Sequence, residues 1–398
     1  MMIPRTEYLN FFIRSKDKQL IKVVSGIRRC GKSTLFEMYI DYLLDHGVNQ
    51  EQLIFINFED LQYNNLRDYM RLFTFVMERV QPGRMNYVFL DEIQHVPEFE
   101  RVVDSLFIQK NIDIYITGSN AYFMSSELAT LLSGRYIELK MLPLSFKEYC
   151  SGTDIQKSIS QKYLDYQMNS SFPYAISIMN NKQLVIDYLE GIFNTVILKD
   201  VVARNKIADV VMLEDVVKFL FHNIGNQTST TKIANTMTSD GRKIDPKTVE
   251  KYIRALTESL IIYKAKRYNI KGKQYLKTLE KYYVVDIGLR YMLLGMSQTD
   301  VGHILENIVY LELIRRGYDV YVGQYGDMEV DFVAMNEQGI EYFQVAATVR
   351  DENVLNRELK PLLKINDHYP KYLLTLDEDP EGDYLGIRRM NALEYFLK

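Results

Sequence analysis

Apolar residues in the first third of the chain fall into short runs, separated by longer stretches with helical spacing. Leu20, Ile21, Val23 and Val24 form the first run, Leu53-Ile54-Phe55-Ile56-Asn57-Phe58 the second, Tyr87-Val88-Phe89-Leu90 the third and Ile112-Asp113-Ile114-Tyr115-Ile116 the fourth. Runs this short and continuous suit strands buried on both faces of a parallel sheet. Between them, Leu35, Met38, Tyr39, Tyr42 and Leu43 recur at helical spacing up to Gly47, a residue suited to a helix stop. Further helices are predicted over 66–80, ended by Pro82-Gly83, and over 98–110. A leading helix within 1–18 has Tyr8, Leu9, Phe11 and Phe12 as its apolar side. The alternation predicts an α/β domain with a parallel sheet over 1–150.

The pattern then changes. Residues 151–223 read as a helical subdomain, with helices at 161–168, 175–179, 182–204 and 210–223. Over 224–295, helices at 230–237 and 245–256 precede a strand at 259–268, a turn at Ile270-Lys271-Gly272-Lys273 and a returning strand at 274–279. With the helix before them, these elements spell a winged helix. The last stretch, 296–398, reads helix 304–316, strands 318–322, 329–335 and 341–345, helix 353–365 and strand 371–376, an α+β domain.

The chain has 398 residues, more than one core usually organises, and 47% of them are apolar. No run of about 18 apolar residues reads as a membrane span. The start has no secretion-type segment, and Cys30 and Cys150 make no disulfide framework, so a cytoplasmic protein is expected. The net charge of -4 favours no partner by itself. Its distribution does: 225–290 holds 14 Lys and Arg against 6 Asp and Glu, so this segment is strongly basic while the remainder is acidic.

Candidate chemistry begins after the first strand, at Gly26-Ile27-Arg28-Arg29-Cys30-Gly31-Lys32-Ser33-Thr34. A glycine-rich turn leading into a helix aims backbone N-H groups and a positive helix end at phosphate oxygens. Lys32 would reach the terminal phosphates and Ser33 would complete the coordination of magnesium. The third strand ends in Asp91-Glu92, placed to hold magnesium through water and to activate the attacking water respectively. The fourth ends in Thr117-Gly118-Ser119-Asn120. There Ser119 or Asn120 would sense the γ-phosphate, with helix capping by Ser119 as the competing role. No Asn-Lys-x-Asp guanine reader is evident, which favours ATP.

Ser25 to Thr34, Ile56-Asn57-Phe58-Glu59, Phe89-Leu90-Asp91-Glu92-Ile93-Gln94, Ile116 to Asn120, Leu132-Ser133-Gly134-Arg135 and Pro143-Leu144-Ser145-Phe146 together resemble a prokaryotic AAA-type P-loop ATPase family. Its members pair this module with a C-terminal domain of unknown function. The resemblance implies ATP and magnesium as cofactors, and ATP hydrolysis. Arg135 would neutralise phosphate charge in cis or reach a neighbour's nucleotide, with Arg28 and Arg29 as further contributors; surface arginine is the alternative for each. A homo-oligomer is left open.

Beyond the ATPase module, Lys247, Lys251 and Arg254 on the second helix of the winged helix are candidate contacts to double-stranded DNA, a protein partner being the other option. The final domain resembles the restriction-endonuclease-like core, with Glu306, Asp331 and Gln344 at corresponding places. Ala346 stands where such sites carry a lysine, so a degenerate, non-cleaving domain is expected. An ATPase-controlled metal-dependent nuclease and a scaffold ATPase without nucleic acid are the alternatives. The histidines, His46, His95, His222, His303 and His368, are scattered and receive no role.

Overall fold

The computed structural model describes residues 3–118, 132, 134–153, 156–295 and 300–398. The chain divides into two compact units, Met1–Pro143 and Leu144–Lys398. Among the described residues no helix is long and apolar enough to cross a membrane.

The first unit is built on strands β1 (Ile21–Gly26), β2 (Leu53–Asn57), β3 (Asn86–Asp91), β4 (Ile112–Gly118) and β5 (Tyr136–Met141), in the order β2-β3-β4-β1-β5. Every pairing is parallel, as expected from the apolar runs. β5 was not read from the sequence, because Tyr136-Ile137-Glu138-Leu139-Lys140-Met141 alternates in polarity and leaves only Met141 buried. β1, β3 and β4 are buried along their whole length. One face of the sheet packs Ile21, Val23, Ile56, Leu90 and Ile116 among the helices Tyr69–Met77 and Phe99–Phe107. The other buries an aromatic group in which Phe12 of the leading helix Thr6–Ser15 meets Tyr39 and Tyr115, and Phe89 stacks on Tyr115 at 4.8 Å. Removing one such ring would cost about 3–5 kcal/mol. A buried Lys22 on β1 interrupts the apolar run and pairs with Asp113 of β4, which also accepts from Tyr115 Oη at 2.8 Å and Asp17 N at 2.9 Å.

In the second unit the helices Ile159–Asn169, Pro173–Ile178, Lys182–Thr195 and Val210–His222 appear where their periodicity put them. The predicted run 182–204 changes to a π-helix over Val196–Ala203. The helices Thr230–Ser239 and Pro246–Glu258 follow, each capped by the side chain before it, Ser229 and Asp245. Then come β6 (Ile262–Asn269), β7 (Gln274–Val284), helix Ile287–Leu294, helix Val301–Arg315, β8 (Asp319–Tyr325), β9 (Met328–Asn336), β10 (Gly339–Ala346), helix Glu352–Lys364 and β11 (Lys371–Thr375). β12 (Gly382–Tyr384), β13 (Ile387–Asn391) and helix Ala392–Leu397 complete the chain and were not anticipated.

The first compact unit ends at Pro143, and helix Phe146–Ser151 packs with helices Ile159–Asn169 and Ala392–Leu397 of the second. The division expected between 295 and 296 is crossed by a sheet. β6 pairs parallel with β8, so the hairpin extends an eight-stranded sheet in the order β12-β13-β11-β10-β9-β8-β6-β7. A strand edge of unpaired backbone groups is satisfied by this addition, which local sequence does not reveal.

Candidate functional site

The Gly26–Thr34 loop leaves the carboxyl end of β1 and enters the helix Lys32–Asp45. Its conformation explains its glycines. Gly31 takes φ 103°, a left-handed value, and Arg29 takes φ 67°. At Gly26 a Cβ would lie 2.5 Å from Met141 O and 2.9 Å from Cys30 Sγ, so only glycine lets β1 end against β5 there. Lys32 is buried and folds back over the loop, its Nζ 3.1 Å from Gly26 O and 3.3 Å from Ile27 O. The same ammonium lies 3.7 Å from Glu92 Oε1. Arg5, buried ahead of the leading helix, donates to Cys30 O at 3.0 Å and Leu142 O at 2.7 Å, tying the loop to β5 from behind. Burial pushes the Cys30 thiol pKa up, so this cysteine sits in the loop as a neutral packing group.

Asp91 closes β3 and Glu92 follows in a left-handed conformation, φ 55°. That backbone is held by Thr117 of β4, whose hydroxyl accepts from Glu92 N at 2.9 Å and donates to Asp91 Oδ1 at 2.5 Å. Thr117 thus holds the Asp91 carboxylate and the Glu92 backbone, while the Glu92 carboxylate accepts from Gln94 Nε2; neither Thr117 nor Gln94 stands out in the sequence as a site residue. The signal for Thr117 was present in its place at the end of the strand beside Asp91-Glu92. Burial raises the pKa of Asp91, opposed by hydrogen bonds from Ser33 and Thr117. Its second oxygen, Oδ2, is buried and accepts no hydrogen bond.

The structure therefore brings Lys32, Ser33, Asp91, Glu92 and Thr117 together at one edge of the sheet. Arg28 stands nearby, 3.5 Å from Glu59, and Arg29 is exposed. Asn120 and Ser119 lie outside the described residues. Arg135 is not brought to the loop. Its carbonyl accepts from Ile21 N at 2.9 Å, at the start of β1, while the loop leaves the other end about 17 Å away by strand rise. Its guanidinium lies 3.7 Å from Asp104 and over the Phe107 ring. In this placement Arg135 stands at the opposite end of β1 from the loop.

In the second unit, Lys247, Lys251 and Arg254 are exposed on one face of helix Pro246–Glu258, Arg254 bonding Glu258 at 2.8 Å. Farther on, Glu306 and Asp331 meet at a cation that the sequence reading missed. Lys281 of β7 places its Nζ 2.8 Å from Glu306, 2.6 Å from Glu329 and 3.7 Å from Asp331. Ala346 leaves β10 without a lysine at that place, and the cation beside Glu306 and Asp331 comes from the hairpin strand. Tyr283 donates to Glu306 at 2.7 Å, Val345 N to Asp331 at 2.9 Å, and Gln344 to Glu358 at 2.8 Å. Burial pushes Glu306 up, but Lys281, with hydrogen bonds from His303 and Tyr283, outweighs it and holds the pKa at about 2. Asp331 goes the other way: burial and the adjacent Glu306 charge push it well above the carboxylate range. A cavity of about 460 Å³ opens beside Glu329, Asp331, Gln344 and Glu358.

The parallel sheet, the phosphate loop and the acid pair beyond it define a P-loop ATPase of the AAA type. Comparison with known proteins agrees. The family model described as an AAA domain matches residues 18–150, and a domain of unknown function matches 160–300. An uncharacterized protein of Haemophilus influenzae is 38% identical over 401 residues, covering 100% of this chain and 99% of that protein. Another from Methanocaldococcus jannaschii is 30% identical, covering 85% of this chain and 77% of that protein. Among solved structures, a Walker-type ATPase of Pyrococcus abyssi shares the fold with a TM-score of 0.51 at 15% identity, over 73% of this chain and 95% of that one. The chain belongs to the family of these relatives, and its first third carries the AAA domain of P-loop type.

Proposed function

We propose that the protein is an ATP-hydrolysing switch whose second unit engages DNA. The observation that carries the ATPase reading is the meeting of the loop lysine, the Asp91 oxygen without a hydrogen-bond donor and Glu92 at one sheet edge. An unmet buried acceptor beside the Ser33 hydroxyl suits a hydrated magnesium ion. In this reading the Gly26–Thr34 amides and Lys32 hold the phosphates, and Ser33 and Asp91 hold the ion. Magnesium, when bound, would offset the charge developing on the phosphoryl oxygens. Glu92 accepts the proton of the attacking water, its backbone held by the Thr117 hydrogen bond. Lys32→Ala should abolish tight nucleotide binding, and Glu92→Gln should retain binding while lowering hydrolysis by about 100-fold or more. An unchanged ATPase rate in either variant would refute the assignment.

DNA as the partner is supported by the exposed Lys247, Lys251 and Arg254 and by the basic balance of 225–290. Steady-state ATPase with and without double-stranded DNA tests it, stimulation being expected. The helices followed by a hairpin support a winged-helix reading. The order helix, three strands, helix, strand over 301–375 supports the restriction-endonuclease-like one. Lys281 beside Asp331 favours a second reading, a metal-dependent nuclease. It predicts magnesium-dependent cleavage of plasmid that disappears in Asp331→Ala, and no cleavage by the wild type would end it.

A further inference from the structure

Adjacent strand ends place a third kind of ligand beside Glu92. β2 and β3 pair in register with Asn57 opposite Asp91, and Phe58 N donates to Asp91 O at 3.0 Å. Glu59, two residues beyond the end of β2, therefore stands next to Glu92, one residue beyond the end of β3. Its backbone is turned by Asn57, whose side chain accepts from Glu59 N at 2.9 Å. After Glu92 the chain makes a single 3-10 turn, Ile93–His95, with His95 N donating to Glu92 O at 3.2 Å. That turn keeps His95 close to Glu92 in space as well as in sequence. One ligand atom from each of Glu59, Glu92 and His95 lies within 4.8 Å of the other two.

We propose that Glu59, Glu92 and His95 form a site for a first-row transition-metal dication, zinc being the probe, and that its occupancy shuts off ATP hydrolysis. One imidazole and two carboxylates make a mixed N/O set that zinc accepts with bonds of about 2.0–2.2 Å, which puts neighbouring ligand atoms about 3.4 Å apart in a tetrahedron. Closing from within 4.8 Å to that spacing asks for side-chain movement of about 1 Å. Glu59 is exposed and free to make it; its pairing with Arg28 at 3.5 Å lies at the surface, where such pairs contribute little. Magnesium, which prefers oxygen ligands, is a poor competitor for a site with an imidazole. The inhibitory part rests on Glu92 being the base. A carboxylate bound to the metal has given up the lone pair that would take the proton from water.

The test uses the full chain. Zinc is titrated calorimetrically without nucleotide, and Mg-ATP hydrolysis is measured at buffered free zinc, for wild type, His95→Ala and Glu59→Gln. One zinc per chain is expected, with affinity at least tenfold weaker in both variants. Zinc should stop hydrolysis by the wild type and spare His95→Ala, whose rate without zinc matches the wild type. Equal zinc affinity in wild type and both variants would overturn the site, whatever Glu92 does. Zinc binding that depends on His95 but leaves hydrolysis untouched would overturn the inhibition. If instead Glu92→Gln hydrolyses ATP normally, the base assignment falls while the His95-dependent affinity still identifies the metal site.

Discussion

Lys281→Met removes an ammonium that faces Glu306, Glu329 and Asp331 at nearly unchanged side-chain volume. Of the three acids, Glu329 is about a third exposed and can turn to water, and Asp331 lies farthest from the ammonium, at 3.7 Å, with its pKa raised by burial and the Glu306 charge. The loss therefore falls on Glu306, buried and with its pKa held at about 2 against an ordinary 4.5. A depression of that size is worth about 3 kcal/mol. Removing one partner of a buried pair costs about 3–5 kcal/mol, so the second unit should lose that much at pH 7. The sign with pH is fixed: the Glu306 contribution is fully present above pH 4.5 and disappears as the pH falls through about 2. Asp331, with its pKa raised, acts oppositely and favours the fold at low pH. In the variant Glu306 gains a raised pKa of its own, so the gap to wild type should narrow between pH 7 and about 4. Native-state hydrogen exchange reads this locally at Val345 N, which donates to Asp331. A loss below about 1 kcal/mol at pH 7, or a gap that does not change with pH, would refute the reasoning.

Other substitutions probe the first unit and the basic helix. Thr117→Val keeps the shape of β4 but removes the hydroxyl shared by Asp91 and Glu92, a charged hydrogen bond worth about 1.5–3 kcal/mol. Its turnover should fall about 10- to 100-fold in a steady-state ATPase assay, with nucleotide affinity little changed. Gly26→Ala drives a methyl against Met141 O, a backbone atom that cannot swing away. It should lower the stability of the unit by about 1–3 kcal/mol in thermal unfolding and weaken ATP binding. Lys247→Glu with Lys251→Glu should abolish retention on double-stranded DNA at low salt, whereas unchanged retention would remove this face from consideration.

The local signals read well where one stretch of chain carries the whole cause. The apolar runs at 20–24, 53–58, 87–90 and 112–116 appear as four of the five parallel strands, the three inner ones buried along their whole length and β2 apolar although it lies at an edge. Asp245 and Pro246 gave away a helix start, and the side chain of Asp245 does accept from Lys247 N and Thr248 N. β5 escaped because an edge strand is half exposed and carries Glu138 and Lys140. β12 and β13 are three and five residues long, too short for a periodicity.

Spacing along the chain was enough to pick out Gly26 to Thr34 and Asp91-Glu92, because a phosphate-shaped loop and its flanking strand and helix are local objects. Tertiary structure decided what meets them. Thr117 reaches Asp91 because β4 pairs with β3, and Arg135 fails to reach the loop because β5 begins at the far end of the sheet. Lys281 joins Glu306 and Asp331 only through the pairing of β6 with β8, which carries the hairpin into the larger sheet. Charges find their partners through strand registry, which depends on segments far apart in the chain, while a loop or a helix cap is specified by the residues that form it.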